Sequence, residues 1–303
     1  MIKNKSIVVS QLPDAGLGNK LFTWAHGIVF AKKNNLQHYS IGLTRLKIGP
    51  ILRKETSLRF YRNYFKSATL ITKIKLLFLK RLKRTAMKSY SDCNTFDDKT
   101  NELFIFNEIP HWSDYFKGIR ENRDVVVKTF FESLNSNIYK KYSNKITPII
   151  GVHFRMGDFK KISAVQDFSK VGHARTPIQY FIDVINELRI AADANLPVTI
   201  FSDGNSNELS KVLSLSNVHL AEDDLDILHM LHLSKSKVIV LSAGSTFGHW
   251  SAFLSNAAII HHYQHYHSNI RDNRFNEKYF EGVIHPQKEL HNELITYLKK
   301  IKK

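Results

Sequence analysis

One cysteine, no long apolar run and no low-complexity segment or internal repeat are the shortages that stand out in this sequence. The single cysteine, Cys93, excludes an intramolecular disulfide framework and favours a reducing compartment. No stretch reaches the roughly 18 apolar residues that a membrane-spanning helix needs. The apolar run near the N-terminus is also too short for a signal peptide. These shortages predict a cytoplasmic protein without a transmembrane segment.

Acidic side chains are the other shortage, because 44 Lys and Arg residues face only 27 Asp and Glu and give a net charge of +17. Such an excess predicts an anionic partner: nucleic acid, a phospholipid surface or an anionic small molecule. As a helix, residues 71–84 would separate an apolar stripe from a basic face, which suits an anionic membrane. The stripe comprises Ile71, Ile74, Phe78 and Leu82, and the basic face Lys73, Lys80 and Arg84. We therefore expect a peripheral contact with the inner face of the plasma membrane; a solvated helix covering its own core is the alternative.

The chain contains enough apolar residues for two domains. Its 303 residues are 43% hydrophobic and 12% aromatic, which is typical of a globular protein. The spacing predicts a first βα unit, with a strand over 6–12 and a helix over 20–35. From residue 146 onward, strand-like and helical segments alternate, which predicts a parallel, doubly wound sheet. We therefore expect two Rossmann-type α/β domains facing a cleft, with residues 1–144 carrying a basic helical insert and 145–303 forming the second domain.

Three segments of the second half end predicted strands with polar residues: HFRMGD (153–158), FSDG (201–204) and LSAGSTFG (241–248). In a parallel sheet these segments share one edge, the edge at which nucleotides bind. Arg155 offers a planar, permanently charged fork for phosphate, and Asp203 can accept hydrogen bonds from a base or a ribose. Ser245 and Thr246, placed in a turn before a helix predicted from His249, would form an anion site at a helix start.

Each of these residues also has a purely structural interpretation. Ser245 and Thr246 would serve as helix N-caps, Arg155 and Asp158 as an ion pair closing the strand, and His153 as a core histidine. We prefer a functional interpretation because all three segments are predicted to lie on one edge.

Three other motifs are considered as nucleotide or metal sites, and none of them favours such a site. The AGLGN turn lacks the third glycine and the downstream acid of a dinucleotide fingerprint. Asp224 and Asp226 form a D-x-D pattern, but they open an amphipathic helix, where carboxylates favour the helix dipole. His261 and His265 are four residues apart directly after a strand, which is a poor spacing for a metal site. We therefore expect no metal.

Several segments together resemble the α-1,2-fucosyltransferases of glycosyltransferase family 11. GLGNKLFTWAHG is similar to the family's G-G-L-G-N-Q-[ML]-F-Q-Y-A, and HFRMGDF to H-x-R-R-x-D-[YF]. IFSDG is similar to F-S-D-D, and VIVLSAGSTFGHWSAFL to I-I-A-N-S-[ST]-F-S-W-W-x-A-x-L. PHWSDYFKG resembles a further segment, G-Y-[WF]-Q-x-x-x-Y-F. The matches occur in family order over about residues 7–255.

The resemblance implies a GT-B-like, metal-independent enzyme without cofactor that transfers fucose from GDP-fucose with inversion. Carried over residue by residue, it assigns Arg155 to the donor diphosphate and His153 and Asp203 to the guanine. It also assigns a phosphate region of Ser245, Thr246 and Phe247, and a cleft lining from the first domain of Gly16, Gly18 and Asn19. For the catalytic base of an inverting transfer, Asp158 and His153 are the candidates, and we assign Asp158 beside Arg155.

The departures from the family pattern set the alternatives. Met156 replaces the second arginine, Gly204 the second aspartate and Gly248 a serine, while the nucleotide-side residues are kept better. The expected function is therefore α-1,2 fucosylation of a galactoside, on a glycan or lipid-linked oligosaccharide of a bacterial surface polysaccharide such as O-antigen. A transferase of the same fold with another nucleotide-sugar is the first alternative. A non-enzymatic nucleic-acid binder is the second, and no RNA-binding or zinc-finger pattern favours it.

Overall fold

The computed structural model describes residues 6–43, 61, 63–66, 84–87, 102–162, 167–272, 274, 279–286 and 288–302, with backbone alone for 84–87. The contacts divide the chain into two compact units, Met1–Tyr139 and Lys140–Lys303. The predicted basic helix over 71–84 lies outside the described residues except for Arg84. Arg84 begins a strand, so the prediction of a helix is wrong at that residue.

The first unit contains a four-stranded parallel sheet in the order β2-β1-β4-β3. Its strands are β1 Ile7–Gln11, β2 Gln37–Ile41, β3 Arg84–Met87 and β4 Glu102–Phe106. Among the described residues, its helices are α1 Leu17–Lys33 and α2 Arg123–Ser133, and the boundary between the units falls within a further helix, α3 Ser136–Ser143. The predicted opening βα unit is confirmed.

Helix α1 begins three residues earlier than predicted and is buried along most of its length. Gly16 has an extended backbone, and its carbonyl accepts the N–H of Lys20 at 3.1 Å, so the helix starts directly after the glycine-containing turn. Gly27 brings the helix close to β1, because a Cβ at this position would lie 2.2 Å from Ser10 Oγ. Side chains on all sides of the helix are buried, so polar residues such as Thr23 are buried together with the apolar ones.

The second unit contains a six-stranded sheet in which every pairing is parallel, in the order β10-β9-β8-β5-β6-β7. Its strands are β5 Ile150–Phe154, β6 Val198–Ser202, β7 Val218–Leu220, β8 Val238–Val240, β9 Ala258–His261 and β10 Glu281–Val283. Within the described ranges, its helices are α4 Ile178–Ala192, α5 Ser210–Leu213, α6 Asp226–Ser234, α7 Thr246–Leu254 and α8 Asn292–Ile301. The predicted doubly wound parallel sheet is confirmed.

Strand β5 lies between β6 and β8 and is buried throughout. Because side chains alternate between the faces of a sheet, Val152 and Phe154 enter the core cluster shared with α4. Gly151 and His153 point to the other face, where a Cβ on Gly151 would meet Ser236 Oγ at 2.2 Å. The central strand therefore delivers His153 to the helical layer behind the sheet.

Three predicted boundaries are wrong for identifiable reasons. Strand β5 begins at Ile150 rather than Ile146, since Pro148 has no N–H for the sheet. Helix α7 begins at Thr246, not His249, so the predicted STFG turn is mostly its first turn. Asp224 precedes α6 rather than opening it, and its carboxylate pairs with Lys145 at 3.0 Å. No helix among the described residues is both long and apolar enough to cross a bilayer.

Candidate functional site

The ends of β5, β6 and β8 are joined by hydrogen bonds at one edge of the sheet. The N–H of Arg155 donates to Ser242 Oγ at 2.8 Å, and the Ser242 hydroxyl donates to the carbonyl of His153 at 2.8 Å. The N–H of Met156 donates to Asp203 Oδ1 at 2.7 Å. These bonds bring together the three polar segments that the sequence predicts at one edge. The sequence pattern does not single out Ser242 as a link between these strand ends, although Ser242 lies within the third segment.

The Arg155 guanidinium lies between two carboxylates. Its Nη1 donates to Asp203 and its Nη2 to Asp158, so the ion pair between Arg155 and Asp158 considered from the sequence is present. The side chains of Arg155 and Asp203 are 26% and 30% exposed, whereas that of Asp158 is 49% exposed. A guanidinium has five N–H donors, so further donors stay available to a phosphate. Asp158 is therefore the more accessible of the two carboxylates.

His153 is a buried, neutral imidazole beside the start of α7. Burial, reinforced by the charges of Arg155 and two further histidines, lowers its pKa from 6.5 to about 3. Its Nδ1 has no hydrogen-bond partner in the part of the chain that the structure describes, and its ring stacks on Phe247 with centroids 5.5 Å apart. A Cβ on Gly248 would lie 2.5 Å from this Nδ1, so only glycine lets the helix approach so closely.

The start of α7 contains the residues that the sequence predicts to form an anion site. Gly244 has φ of 64°, a left-handed conformation that suits glycine, and Ser245 at the N-cap is extended and makes no side-chain capping bond. The first N–H groups of a helix have no partner within the helix and carry partial positive charge. Thr246 and Phe247 are part of this turn and partly exposed, whereas Ser245 is only 4% exposed.

Arg175 holds the loop that carries Arg155 and Asp158. Its Nε donates to the carbonyl of Phe159 at 2.9 Å, and its Nη1 donates to Glu208 at 2.7 Å. The hydrogen bond from Arg175 is the largest of the causes that lower the pKa of Glu208, so the pair stays charged. The sequence gives no sign of this role, because the residues that Arg175 joins are far apart along the chain.

Two of the departures from the family pattern touch each other. A Cβ on Gly204 would lie 2.1 Å from the sulfur of Met156, which is 6% exposed and belongs to the core cluster. The thioether therefore fills the space that any side chain at residue 204 would need. Met156 and Gly204 form one packing unit that joins the ends of β5 and β6.

The predicted cleft-lining residues belong to the first unit, and the histidine pair with a poor metal spacing makes other contacts. Gly16, Gly18 and Asn19 lie at the start of α1, where Asn19 Oδ1 is buried with no hydrogen-bond partner among the described residues. His261 bonds to Glu281 at 3.1 Å and His265 to the carbonyl of Phe168 at 3.1 Å. Within the described ranges, no three His, Cys, Asp or Glu side chains are grouped as a metal ion would require.

Comparisons with known proteins agree with the fold. The sequence profile of glycosyl transferase family 11 matches residues 51–281. A search of curated proteins found no match. POFUT1 in complex with GDP has a TM-score of 0.50 at 14% identity, over 85% of this chain and 96% of that chain.

Two further solved structures are also similar. NodZ α-1,6-fucosyltransferase soaked with GDP-fucose has a TM-score of 0.47 at 11% identity, over 84% of this chain and 94% of that chain. A mutant of Arabidopsis thaliana FUT1 in complex with GDP has a TM-score of 0.47 at 12% identity, over 89% and 73% of the two chains. At sequence identities this low, the similarity shows a shared fold and not a shared activity. Because the profile covers more than half of the chain, this protein belongs to glycosyl transferase family 11 and is a glycosyltransferase with a GT-B-like α/β fold.

Proposed function

We propose that this protein transfers L-fucose from GDP-fucose to a galactoside hydroxyl, with inversion and an α-1,2 linkage. The observation that carries the proposal is the convergence of Arg155, His153 and the start of α7 at the edge where β5, β6 and β8 end. In parallel sheets this edge is the usual nucleotide site. Membership of family 11 supports sugar transfer, and the GDP in the POFUT1 structure of the same fold supports a guanine nucleotide.

Arg155 and the first turn of α7 would hold the diphosphate, with Ser245, Thr246 and Phe247 beside it. Both are fixed by the fold before the donor arrives, since Arg155 is anchored through Ser242 and α7 by its packing against His153. His153, being neutral, adds no charge to the guanine side. A carboxylate has about four acceptor positions, so Asp203 can accept from the guanine while still bonded to Met156.

Asp158 would act as the base. A phosphate approaching Arg155 competes with the exposed Asp158 carboxylate for the same guanidinium, so donor binding would release Asp158. Asp158 would then accept the proton of the acceptor hydroxyl while the oxygen of that hydroxyl bonds to C1 of fucose. The bond from C1 to the phosphate oxygen breaks, and GDP leaves with negative charge that Arg155 and α7 stabilise. The proposal includes no cofactor or metal, so turnover should continue in EDTA; loss restored by Mn²⁺ or Mg²⁺ would contradict this part.

Replacing Arg155 with alanine tests the donor site. We expect Arg155→Ala to weaken GDP binding by about a hundredfold or more, since a charged hydrogen-bond donor to phosphate is removed. Titration calorimetry with GDP gives the affinity, and thermal unfolding verifies the fold. Arg274→Ala is the matched control, because Arg274 is also paired with an aspartate but is 71% exposed. Unchanged affinity in Arg155→Ala would remove Arg155 from the site.

The donor sugar and the biological setting belong to the same proposal. A mass-spectrometric screen of nucleotide-sugar hydrolysis would separate GDP-fucose from other donors. The acceptor is expected to be a glycan or lipid-linked oligosaccharide of a bacterial surface polysaccharide, reached on the cytoplasmic face of the membrane through residues 71–84. The net charge of +17 also favours a nucleic-acid binder as a second candidate. Salt-dependent RNA binding without GDP affinity would support that candidate instead.

A further inference from the structure

The segment after β4 places an aromatic side chain at the sheet edge of the first unit. All strands of this sheet are parallel, so the segment leaves from the same edge as the loop between β1 and α1. It is held on α1 by a hydrogen bond from Thr23 Oγ1 to the carbonyl of Glu108 at 2.7 Å. The ring of Phe22 also stacks on Tyr115 with centroids 5.1 Å apart. The segment therefore has a fixed position.

Within this anchored segment, Trp112 is strongly exposed, unlike Tyr115 and Phe116. Its exposed fraction is 58%, whereas Phe116 is 2% exposed. The other tryptophans of the sequence, Trp24 and Trp250, are 8% and 0% exposed. An indole that is more than half exposed, in a segment anchored on α1, offers a large apolar contact at little entropic expense.

Polar groups surround this ring. The ring of His111 lies 5.1 Å from that of Trp112, and His111 Nδ1 accepts the N–H of Ser113 at 3.3 Å. In the neutral imidazole the proton must then be on Nε2, which makes that nitrogen a donor. Asp114, 28% exposed and paired with Arg120, adds acceptor oxygens. An apolar face bordered by donors and acceptors matches a pyranose ring, which has C–H groups on one face and hydroxyls around its rim.

We propose that Trp112, with His111, Ser113 and Asp114, binds the galactose ring of the acceptor. The inference rests on the proposed function and identifies where the acceptor sugar lies in the first unit. The axial 4-hydroxyl of galactose leaves the opposite face covered by C–H groups, and this face would stack on the indole. Hydroxyls at the rim would bond to His111 Nε2 and the Asp114 carboxylate.

Tryptophan fluorescence tests this site without any turnover. Because Trp24 and Trp250 are buried, quenching by iodide or acrylamide reports chiefly on Trp112. Lactose is expected to protect this fluorescence in a saturable manner in the absence of donor, and an equal concentration of a mannoside is expected to protect it less. Protection by GDP alone would show that the ring belongs to the nucleotide, and absence of lactose protection would show that no galactoside binds there; either result overturns the inference.

Kinetics give the second test. Trp112→Ala is expected to raise the KM for the acceptor about tenfold, the equivalent of one lost stacking contact, and Trp112→Phe to recover part of it. The rate of GDP-fucose hydrolysis in water and the affinity for GDP should not change. Tyr139→Ala is the control, because it removes another exposed aromatic side chain of the same unit. An unchanged acceptor KM in Trp112→Ala would overturn the inference, whereas failure to hydrolyse GDP-fucose in every variant would instead reject the proposed donor.

Discussion

At the scale of the residue, the pairing of the Arg155 guanidinium with two carboxylates has the clearest chemical consequence. One guanidinium faces Asp158 and Asp203, so the cluster carries a net negative charge where a diphosphate is proposed to bind. Asp203 is held by a second bond to the Met156 N–H, and Asp158 is the more exposed. Asp158 is therefore the carboxylate that a phosphate of the proposed donor would displace.

The Asp158→Asn variant should separate donor binding from catalysis. We expect it to bind GDP about two- to fivefold more tightly, since a competing charge at an exposed ion pair is removed. Turnover should fall about a hundredfold or more, since the base is lost. Calorimetry and initial rates measure the two effects.

The control for this variant is Asp167→Asn. Asp167 is 47% exposed and pairs with Lys170, so it resembles Asp158 in exposure and in having a basic neighbour three residues away. Weaker GDP binding by Asp158→Asn would contradict the displacement of Asp158 by phosphate, and turnover equal to that of the Asp167 variant would reject Asp158 as the base.

Residues at strand ends could be found from the sequence, and residues that support them could not. Arg155, Asp158 and Asp203 follow recognisable apolar strands, so their common edge is predictable from the parallel arrangement alone. The roles of Ser242 and Arg175 depend on which strands become neighbours and on how a loop folds. Those contacts join residues far apart in the chain, and no local pattern encodes them.

At the scale of the element, the approach of α1 to β1 depends on Gly27. The Ser10 hydroxyl that a Cβ would meet donates to the carbonyl of Thr23 at 3.0 Å and lies 2.9 Å from His38 Nε2. It therefore has little freedom to move away. A methyl group here would push the helix from the sheet.

Gly27→Ala should lower the free energy of unfolding by about 1–3 kcal/mol, in the usual range for overpacking. Urea unfolding followed by circular dichroism measures the change. Gly172→Ala is the control, since Gly172 lies in a turn and, its chain neighbours aside, no atom lies within 4 Å of a Cβ there among the described residues. Equal stability of the two variants would mean that the helix shifts to accept the methyl group.

Helix starts and short strands were the elements least predictable from the sequence. Gly248 looks like a turn residue, yet it lies within α7 because the helix must pass close to His153. Strand β10 is three residues long and was not predicted. Its Glu281 is buried and pairs with the buried Arg271 at 3.4 Å, so tertiary contacts place this strand.

At the scale of the whole molecule, buried neutral histidines make stability dependent on pH. Burial lowers the pKa of His262 from 6.5 to about 3 and that of His26 to about 4, and His153 behaves as described above. Between the pKa values of the folded chain and 6.5, the unfolded chain binds more protons than the folded one. The contribution of these neutral histidines to the free energy of unfolding is therefore complete above about pH 6.5, and it is lost progressively as the pH falls toward 3.

The His262→Phe variant isolates one of these groups. Between about pH 7 and pH 5, it should lose about 1–2 kcal/mol less unfolding free energy than the wild type. Phenylalanine keeps the contacts of the His262 ring with Tyr180 and Phe168. Urea unfolding at each pH measures the slope, and His291→Phe, at an exposed position, is the control. Parallel slopes for all three proteins would contradict the assignment.

The position of β5 at the middle of its sheet also fixes the order in which the donor edge can form. The N–H of Arg155 is satisfied by a hydroxyl 87 residues further along the chain, and β5 pairs with both β6 and β8. A nascent chain that ends before Ser242 has Arg155 but not its anchor, and contacts so distant form slowly. Nucleotide affinity at the proposed donor site should therefore arise late in synthesis, only after β8 and Ser242 have left the ribosome.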